Sequence, residues 1–503
     1  MSHYKASSGV RSRTFAYEDF QGLDTSRDII SKDTGRGQHF ERVDNAYCDW
    51  RGQVVRDATC VHRHGDRVVI KATFFNKSEV VYAERTEAGI NLVSEREHIL
   101  ANVYLPNTVV ATAVFNQRVQ FAARGYLSFS YDGINYRINE SNHLAQLRPA
   151  YLASVQRRLV AAGAAGQETK IFISRVDNEN VFPDDEDANS ENVLRAGFID
   201  VANLIGSADQ ITGLGSFEQN KLIIFTSDRA LIYRIDPDIS RWVQDESANI
   251  QIGCASHNTI VNAGTDVIFC SRSGVHSIKR STENGILVYS YSLSDKVDLL
   301  YRQLFDSVEN PEEISAVFDQ DKAQYHIFFP QPGGVLCKRL TLALNPEGGE
   351  PQLKFNTGNF LNSRCGAFLA GTLVLGTSGG IYESLREGQT SGDGVTPQFE
   401  IVTPLLWHGS LIEMKETMSM VIQAAGSGIL QIDAVDDEGR TLGSMEIESG
   451  YDTDDNYFFG VPLSRQYERK WQHRYRGAQY RIRSKGGDGL FRLIGFAITV
   501  RAN

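Results

Sequence analysis

Apolar and polar positions along the chain recur in a hairpin rhythm: a short apolar run, a polar turn, an alternating apolar run, then another turn. Residues 113–121 and 215–225 read this way, as do 261–269, 317–328 and 367–375. One apolar anchor per post-turn run (Val68, Val119, Leu159, Leu222, Val267, Tyr325, Leu373) gives spacings of 40 to 63 residues with a mean near 51. A four-stranded propeller blade has that length, since known repeats run at roughly 40 to 50 residues. The pattern predicts an all-β protein: a β-propeller-like platform of about six or seven blades with few short helices. Sandwich stacks and β-helices are the competing arrangements.

Two segments carry helical patterns. In residues 294–309, Val297, Leu300, Tyr301, Leu304, Phe305 and Val308 form one apolar stripe, with Ser294 placed to cap it and Asn310-Pro311 to stop it. Residues 141–160 predict two short helical pieces separated at Pro149. Residues 1–45 lack sustained periodicity and read as an N-terminal arm, 46–385 as the propeller platform and 386–397, rich in Gly, Ser and Thr, as a linker. Residues 398–503 return to strand patterns and read as a C-terminal β-sandwich-like domain.

Composition sharpens this. At 41% hydrophobic and 22% charged, the 503-residue chain is globular, with 44 glycines for turns and only 12 prolines. The net charge of −11 argues against a protein that coats DNA with its whole surface. No apolar window is long enough to cross a membrane, and no apolar stretch follows Arg11 and Arg13 as a secretory signal requires. Six cysteines without a C-x-x-C pair (Cys48, Cys60, Cys254, Cys270, Cys337, Cys365) predict reduced thiols in a protein made in a cytoplasm.

Catalytic motifs are scarce. No Walker loop, Gly-x-Ser-x-Gly elbow or His-Glu-x-x-His occurs. Cys60, His62 and His64 share one face of a strand, but residues two apart stand about 7 Å from each other and fan out. The expectation is therefore no metal, no cofactor and no catalytic residue. Residues 130–136 (Ser-Tyr-Asp-Gly-Ile-Asn-Tyr) resemble an Asp-box turn of sialidase-type propellers with one residue missing, a structural turn rather than a catalytic one. An acidic run, 177–191, holds Asp184, Asp185, Glu186 and Asp187 and no Lys or Arg. A basic cluster, 465–485, includes Arg474, Arg476, Arg481 and Arg483, interleaved with aromatic residues. It reads either as a patch for phosphate or an acidic protein surface, or as a solvated sheet face with ordinary ion pairs.

Residues 156–161 (Gln-Arg-Arg-Leu-Val-Ala), 170–174, 198–200, 211–225 and 230–235 follow in an order that resembles the tail nozzle proteins of short-tailed bacteriophages, also called tail tubular or packaged-DNA stabilisation proteins. Residues 252–256 and 264–278, Lys415 and residues 474–482 fit the same pattern, which spans about residues 105–500. The resemblance implies a structural virion protein without enzymatic activity: a homohexameric nozzle ring on the tail axis that extends the portal and adaptor channel. Such a ring retains packaged DNA, conducts it at ejection without sequence-specific binding, meets adaptor and tail-fibre proteins, and is assembled in the host cytoplasm. It would place Asp184, Asp185, Glu186 and Asp187 on the lumen and Arg474, Arg476, Arg481 and Arg483 at an assembly interface. A tail-associated carbohydrate-active propeller, suggested by the blade spacing and partial Asp box, is one alternative. A propeller scaffold that binds proteins, with the 294–309 helix as docking element, is the other.

Overall fold

The computed structural model describes residues 12–502 apart from 19, 26–37, 50, 139–145, 184–193, 207–208, 218–219, 246–249, 265, 279–291, 333–335, 346–351, 387–388, 390–392, 409–411, 427, 450–456, 459–460, 463 and 486–490. The chain forms two compact units, one of residues 62–340 and 361–384, the other of 1–61, 341–360 and 385–503.

The first unit is a β-propeller. Its first four blades are four-stranded antiparallel sheets, in which the chain runs outward from the inner strands Val68–Phe75, Ala111–Phe115, Tyr151–Val155 and Ile211–Phe217. The fifth blade shows three described strands from Val261–Asn262, the sixth starts with Ser315–Asp319 and the seventh with Cys365–Leu369. Each inner strand packs on the next, and Cys365–Leu369 returns to Val68–Phe75, so the ring closes. The seven sequence anchors fall one to a blade.

Apolar side chains fill the gaps between five pairs of successive blades. Phe75, Val81 and Leu92 meet Val119, Phe121 and Tyr131 between the first and second, and Ile223 and Phe225 meet Val267 and Phe269 between the fourth and fifth. Burial on both faces explains the near-continuous apolar runs, such as Lys221–Thr226 with five consecutive buried residues.

Closure uses a strand from far away in sequence. Cys60–His64 lies alongside Gly380–Ser384 as the fourth strand of the seventh blade. Arg63 on that strand ion-pairs with Glu95 of the first blade and with Glu383 of the seventh at 3.0 Å, which fastens the two ends.

The expected helical pieces in 141–160 are instead strands. Tyr151–Val155 and Arg158–Ala164 form a hairpin of the third blade, with Gln156 (φ 47°) and Arg157 (φ 59°) in the left-handed turn between them. The primed turn keeps the twist of the flanking strands, and tertiary burial of Leu152, Val155, Leu159 and Val160 outweighs local helical periodicity. The other helix is present as a 3-10 turn, Asp295–Val297, continuing into Asp298–Asp306. Val297, Tyr301, Leu304, Phe305 and Val308 are buried as the stripe requires, whereas Ser294 does not cap the helix and bonds Val275 N instead.

The second unit is a β-sandwich. One sheet combines Lys415–Gly426, Ser464–Tyr475 and Phe491–Ala502 with Ser12–Glu18, Val54–Arg56 and Ala46–Cys48. The facing strands are Arg42–Asp44, Glu400–Val402, Gly428–Asp436, Thr441–Ser449 and Ala478–Ser484. Met420, Ile422, Phe496 and Ile498 from one sheet and Ile401, Ile432, Tyr480 and Ile482 from the other form its core. The segment bounds thus differ from those suggested by sequence. Within residues 1–45, Ser12–Glu18 pairs antiparallel with Phe491–Ala502, Ser12 opposite Arg501, and Gly394 of the 386–397 stretch pairs with Val61. Backbone hydrogen bonding draws these segments in, because an edge strand leaves unpaired amides and carbonyls.

Candidate functional site

Three connectors meet at the hub of the propeller: residues 107–110 before the second blade, the 3-10 turn His257–Thr259 before the fifth and the turn Pro311–Glu313 before the sixth. Each turn is capped locally, by Ser256 accepting from Asn258 N and by Asn310 accepting from Glu312 N. Lys71 Nζ, on the inner strand of the first blade, donates to Asn258 Oδ1 at 2.7 Å, and Asn258 Nδ2 donates to Val110 O at 3.3 Å. Ser256 Oγ reaches Glu312 O and Ile314 O at 3.0 and 2.7 Å. The first and fifth blades are not neighbours in a ring of seven, so the Lys71–Asn258 bond spans the hub. Lys71 and Asn258 thus join parts of the ring that are not adjacent blades.

Around these connectors lies a charged constellation. Arg85 and Arg364 each stand 3.4 Å from one oxygen of Glu313, while Arg124 stands 3.3 Å from Glu312 and donates to Tyr151 OH at 2.8 Å. Burial lowers Arg364 from its ordinary value, with the nearby Arg85 adding to the effect. Burial brings Lys71 down to about 8 and raises the Cys365 thiol to about 12. His257 is lowered to about 3 by burial and by Lys71, and its Nδ1 accepts from Leu214 N. The amine and imidazole are thus engaged by structural partners and the thiol is protonated at neutral pH, an arrangement that suits binding better than nucleophilic chemistry. Arg85, Asn91, Asn310 and Arg364 help to line a basin of about 1270 Å³.

His257 belongs to a wider set. Burial holds His276 and His473 at about 4, His408 at about 3 and His326 well below the ordinary range. A histidine held neutral in the fold but free to protonate when unfolded contributes stability above pH 6.5 that is lost as pH falls towards its folded value. Each contributes about 1.4 kcal/mol per pH unit within that window. The urea midpoint should therefore fall between pH 7.5 and 5.5, and coincident midpoints would contradict neutral burial.

The sequence candidates fall elsewhere. Asp184, Asp185, Glu186 and Asp187 lie outside the described residues. Arg474 and Arg476 are exposed, with Arg474 opposite Glu416. Arg481 pairs with Glu400 at 3.2 Å, and Arg483 pairs with Asp433, both across neighbouring strands. His64 Nδ1 lies 2.7 Å from Tyr82 OH, and His62 packs edge-on to Tyr382. Among the described residues no group of three His, Cys, Asp or Glu side chains gathers as a metal site. Asp132 shapes the turn between Phe129–Tyr131 and Tyr136–Ile138, accepting from Ile134 N and Asn135 N at 3.0 and 2.8 Å. The hub arginines escaped sequence reading because Arg85, Arg124 and Arg364 lie far apart along the chain and no local motif links them.

The fold and hub define a β-propeller combined with a β-sandwich. No protein-family model matches the chain, and no curated protein matches it. Similar solved structures include a chain of the mitotic checkpoint complex (11% identity, 69% of this chain and 96% of that chain covered, TM-score 0.37) and YCF48 from Cyanidioschyzon merolae (10%, 65% and 98%, TM-score 0.36). Another is the extracellular domain of a protein described as a hybrid two component system from B. thetaiotaomicron (10%, 88% and 61%, TM-score 0.40). No helix among the described residues is long and apolar enough to cross a membrane.

Proposed function

We propose that this chain is a structural virion protein of the tail-nozzle kind, without catalysis. Six copies form a ring on the tail axis beyond the portal and adaptor, hold the packaged genome and conduct it at ejection, with tail fibres attached nearby. The observation that supports this reading is the Lys71–Asn258 bond across the hub, and the path for DNA is proposed to be the space between copies. The segments that resemble tail nozzle proteins support it, since residues 156–161, 211–225 and 230–235 lie in the third and fourth blades. The net charge of −11 per chain suits a lumen that does not grip phosphates, because affinity rises steeply with the number of basic contacts. Asp184, Asp185, Glu186 and Asp187 are proposed to face that lumen, and Arg474, Arg476, Arg481 and Arg483 to support assembly. Phage heads assembled without this protein should fill with DNA and then lose it. Heads that keep their genome equally well would overturn the proposal.

A further inference from the structure

The six-stranded sheet of the sandwich ends on a long open edge. Ser464–Tyr475 runs for 12 residues, about twice the usual strand length, and among the described strands it pairs only with Lys415–Gly426. An edge of that length leaves a row of backbone amides and carbonyls without ladder partners, and native sheets ordinarily keep such edges short. Its two faces differ. Side chains alternate, so Lys470, Gln472 and Arg474 stand exposed on the outer face, while His473 and Tyr475 are buried on the inner face. Tyr467 and Trp471, also on the inner face, are half-buried against the sandwich core.

The edge is also basic. Arg469, Lys470 and Arg474 are exposed on the strand and Arg476 directly beyond it, against the acid Glu468. On the partner strand the one acid is Glu416, which lies opposite Arg474 and has Arg501 opposite it on its other side. On Thr441–Ser449, the edge of the facing sheet, Glu446 pairs with Lys485 and Glu448 lies opposite Ile429. Cations therefore outnumber carboxylates along Ser464–Tyr475 and its partner strand. Like charges repel a second copy of the same strand, which closes the edge to self-pairing and leaves it open to a segment of opposite sign.

We infer that the Ser464–Tyr475 edge is a docking site for an extended segment of a partner protein, in which acidic and apolar residues alternate and which adds to the sheet as a further strand. The partner's backbone completes the open ladder, its carboxylates face Lys470 and Arg474, and its apolar side chains cover Tyr467 and Trp471. DNA fits less well, because phosphates bring no backbone donors to a sheet edge and no apolar face to the two aromatic rings. Residues 450–456, which lie outside the described residues, hold Asp452, Asp454 and Asp455 and are a second source of acid that the test must separate. The inference rests on the sandwich alone, and its failure would leave the tail-nozzle reading untouched.

Fluorescence anisotropy of the full chain with a labelled, capped peptide of alternating Glu and Val, about ten residues long, tests the inference. Saturable binding is expected, about tenfold or more tighter than that of the matching Lys–Val peptide. N-methylating alternate amides removes the donors along one edge of the peptide. One of the two N-methylated registers should lose about tenfold or more in affinity and the other should keep it, because strand addition uses a single edge. Lys470→Glu combined with Arg474→Glu, both at exposed positions, should weaken the acidic peptide about tenfold or more. No saturable binding, binding indifferent to N-methylation in both registers, or binding unchanged in the double variant would overturn the inference. Three results would overturn it by naming another occupant. Binding that appears only after Asp452→Asn, Asp454→Asn and Asp455→Asn assigns the edge to the chain's own segment. An oligomer of the parent that the double variant reduces to monomers assigns it to a second copy, and a DNA oligonucleotide that displaces the peptide and binds more tightly assigns it to phosphate.

Discussion

Replacing Gly380 with alanine should unfasten the closing blade. Gly380 sits at φ 111°, in the left-handed region, and a Cβ there would lie 2.4 Å from Gly65 O and 2.7 Å from His64 O. These are backbone atoms of the closure strand and the turn behind it, so no rotamer change relieves the clash. The chain must shift Cys60–His64 away from Gly380–Ser384, which also strains the Arg63 ion pairs. A cost of about 4 kcal/mol is expected, at the upper end for single substitutions and comparable to the whole stability of many domains. Hydrogen exchange should rise first in residues 60–75 and 365–384. Unchanged exchange in those segments would show that the closure strand does not hold the ring.

Arg158→Met should cost nearly as much, for a different reason. Arg158 is fully buried, and its guanidinium donates to Ser174 O, Arg195 O and Pro237 O at 2.7, 2.8 and 2.7 Å. It also stands 5.4 Å from the Trp242 ring centroid, and burial lowers its pKa to about 10. One side chain thereby ties the third blade to the connector before the last strand of the fourth. Methionine fills the volume but leaves three carbonyls without this donor, at about 3 kcal/mol or more, while some desolvation cost of the cation is recovered. Lysine should rescue only partly, because a single ammonium cannot reach three acceptors in the geometry of the fork. Equal denaturant midpoints for Arg158→Met and the parent would show that the contacts add no net stability.

The propeller was legible in the sequence because each blade buries both faces of a short sheet, which forces an apolar run after every hairpin turn. That is why seven anchors from Val68 to Leu373 mark seven blades. In the third blade Leu159 marked the second strand, but its partner Tyr151–Val155 was not legible, since the turn between them uses Gln156-Arg157 where sequence reading looks for Asn-Gly. Strand pairing between chain ends was equally hidden: Ser12–Glu18 has its partner at Phe491–Ala502, and nothing local to either segment specifies the other. The basic cluster was visible as composition, but its pairing with Glu400 and Asp433 depends on which strands become neighbours. The hub was least visible, because it draws single residues from connectors at 107–110, His257–Thr259 and Pro311–Glu313 that lie far apart in sequence.

The most direct test of the proposed ring is mass photometry of the purified chain, alone and with its adaptor–portal complex. Six copies of the 56.0 kDa chain should appear as one added species on the complex, and single-particle images should show six-fold symmetry around an open lumen. A chain that remains at 56.0 kDa in both conditions would contradict the tail-nozzle function.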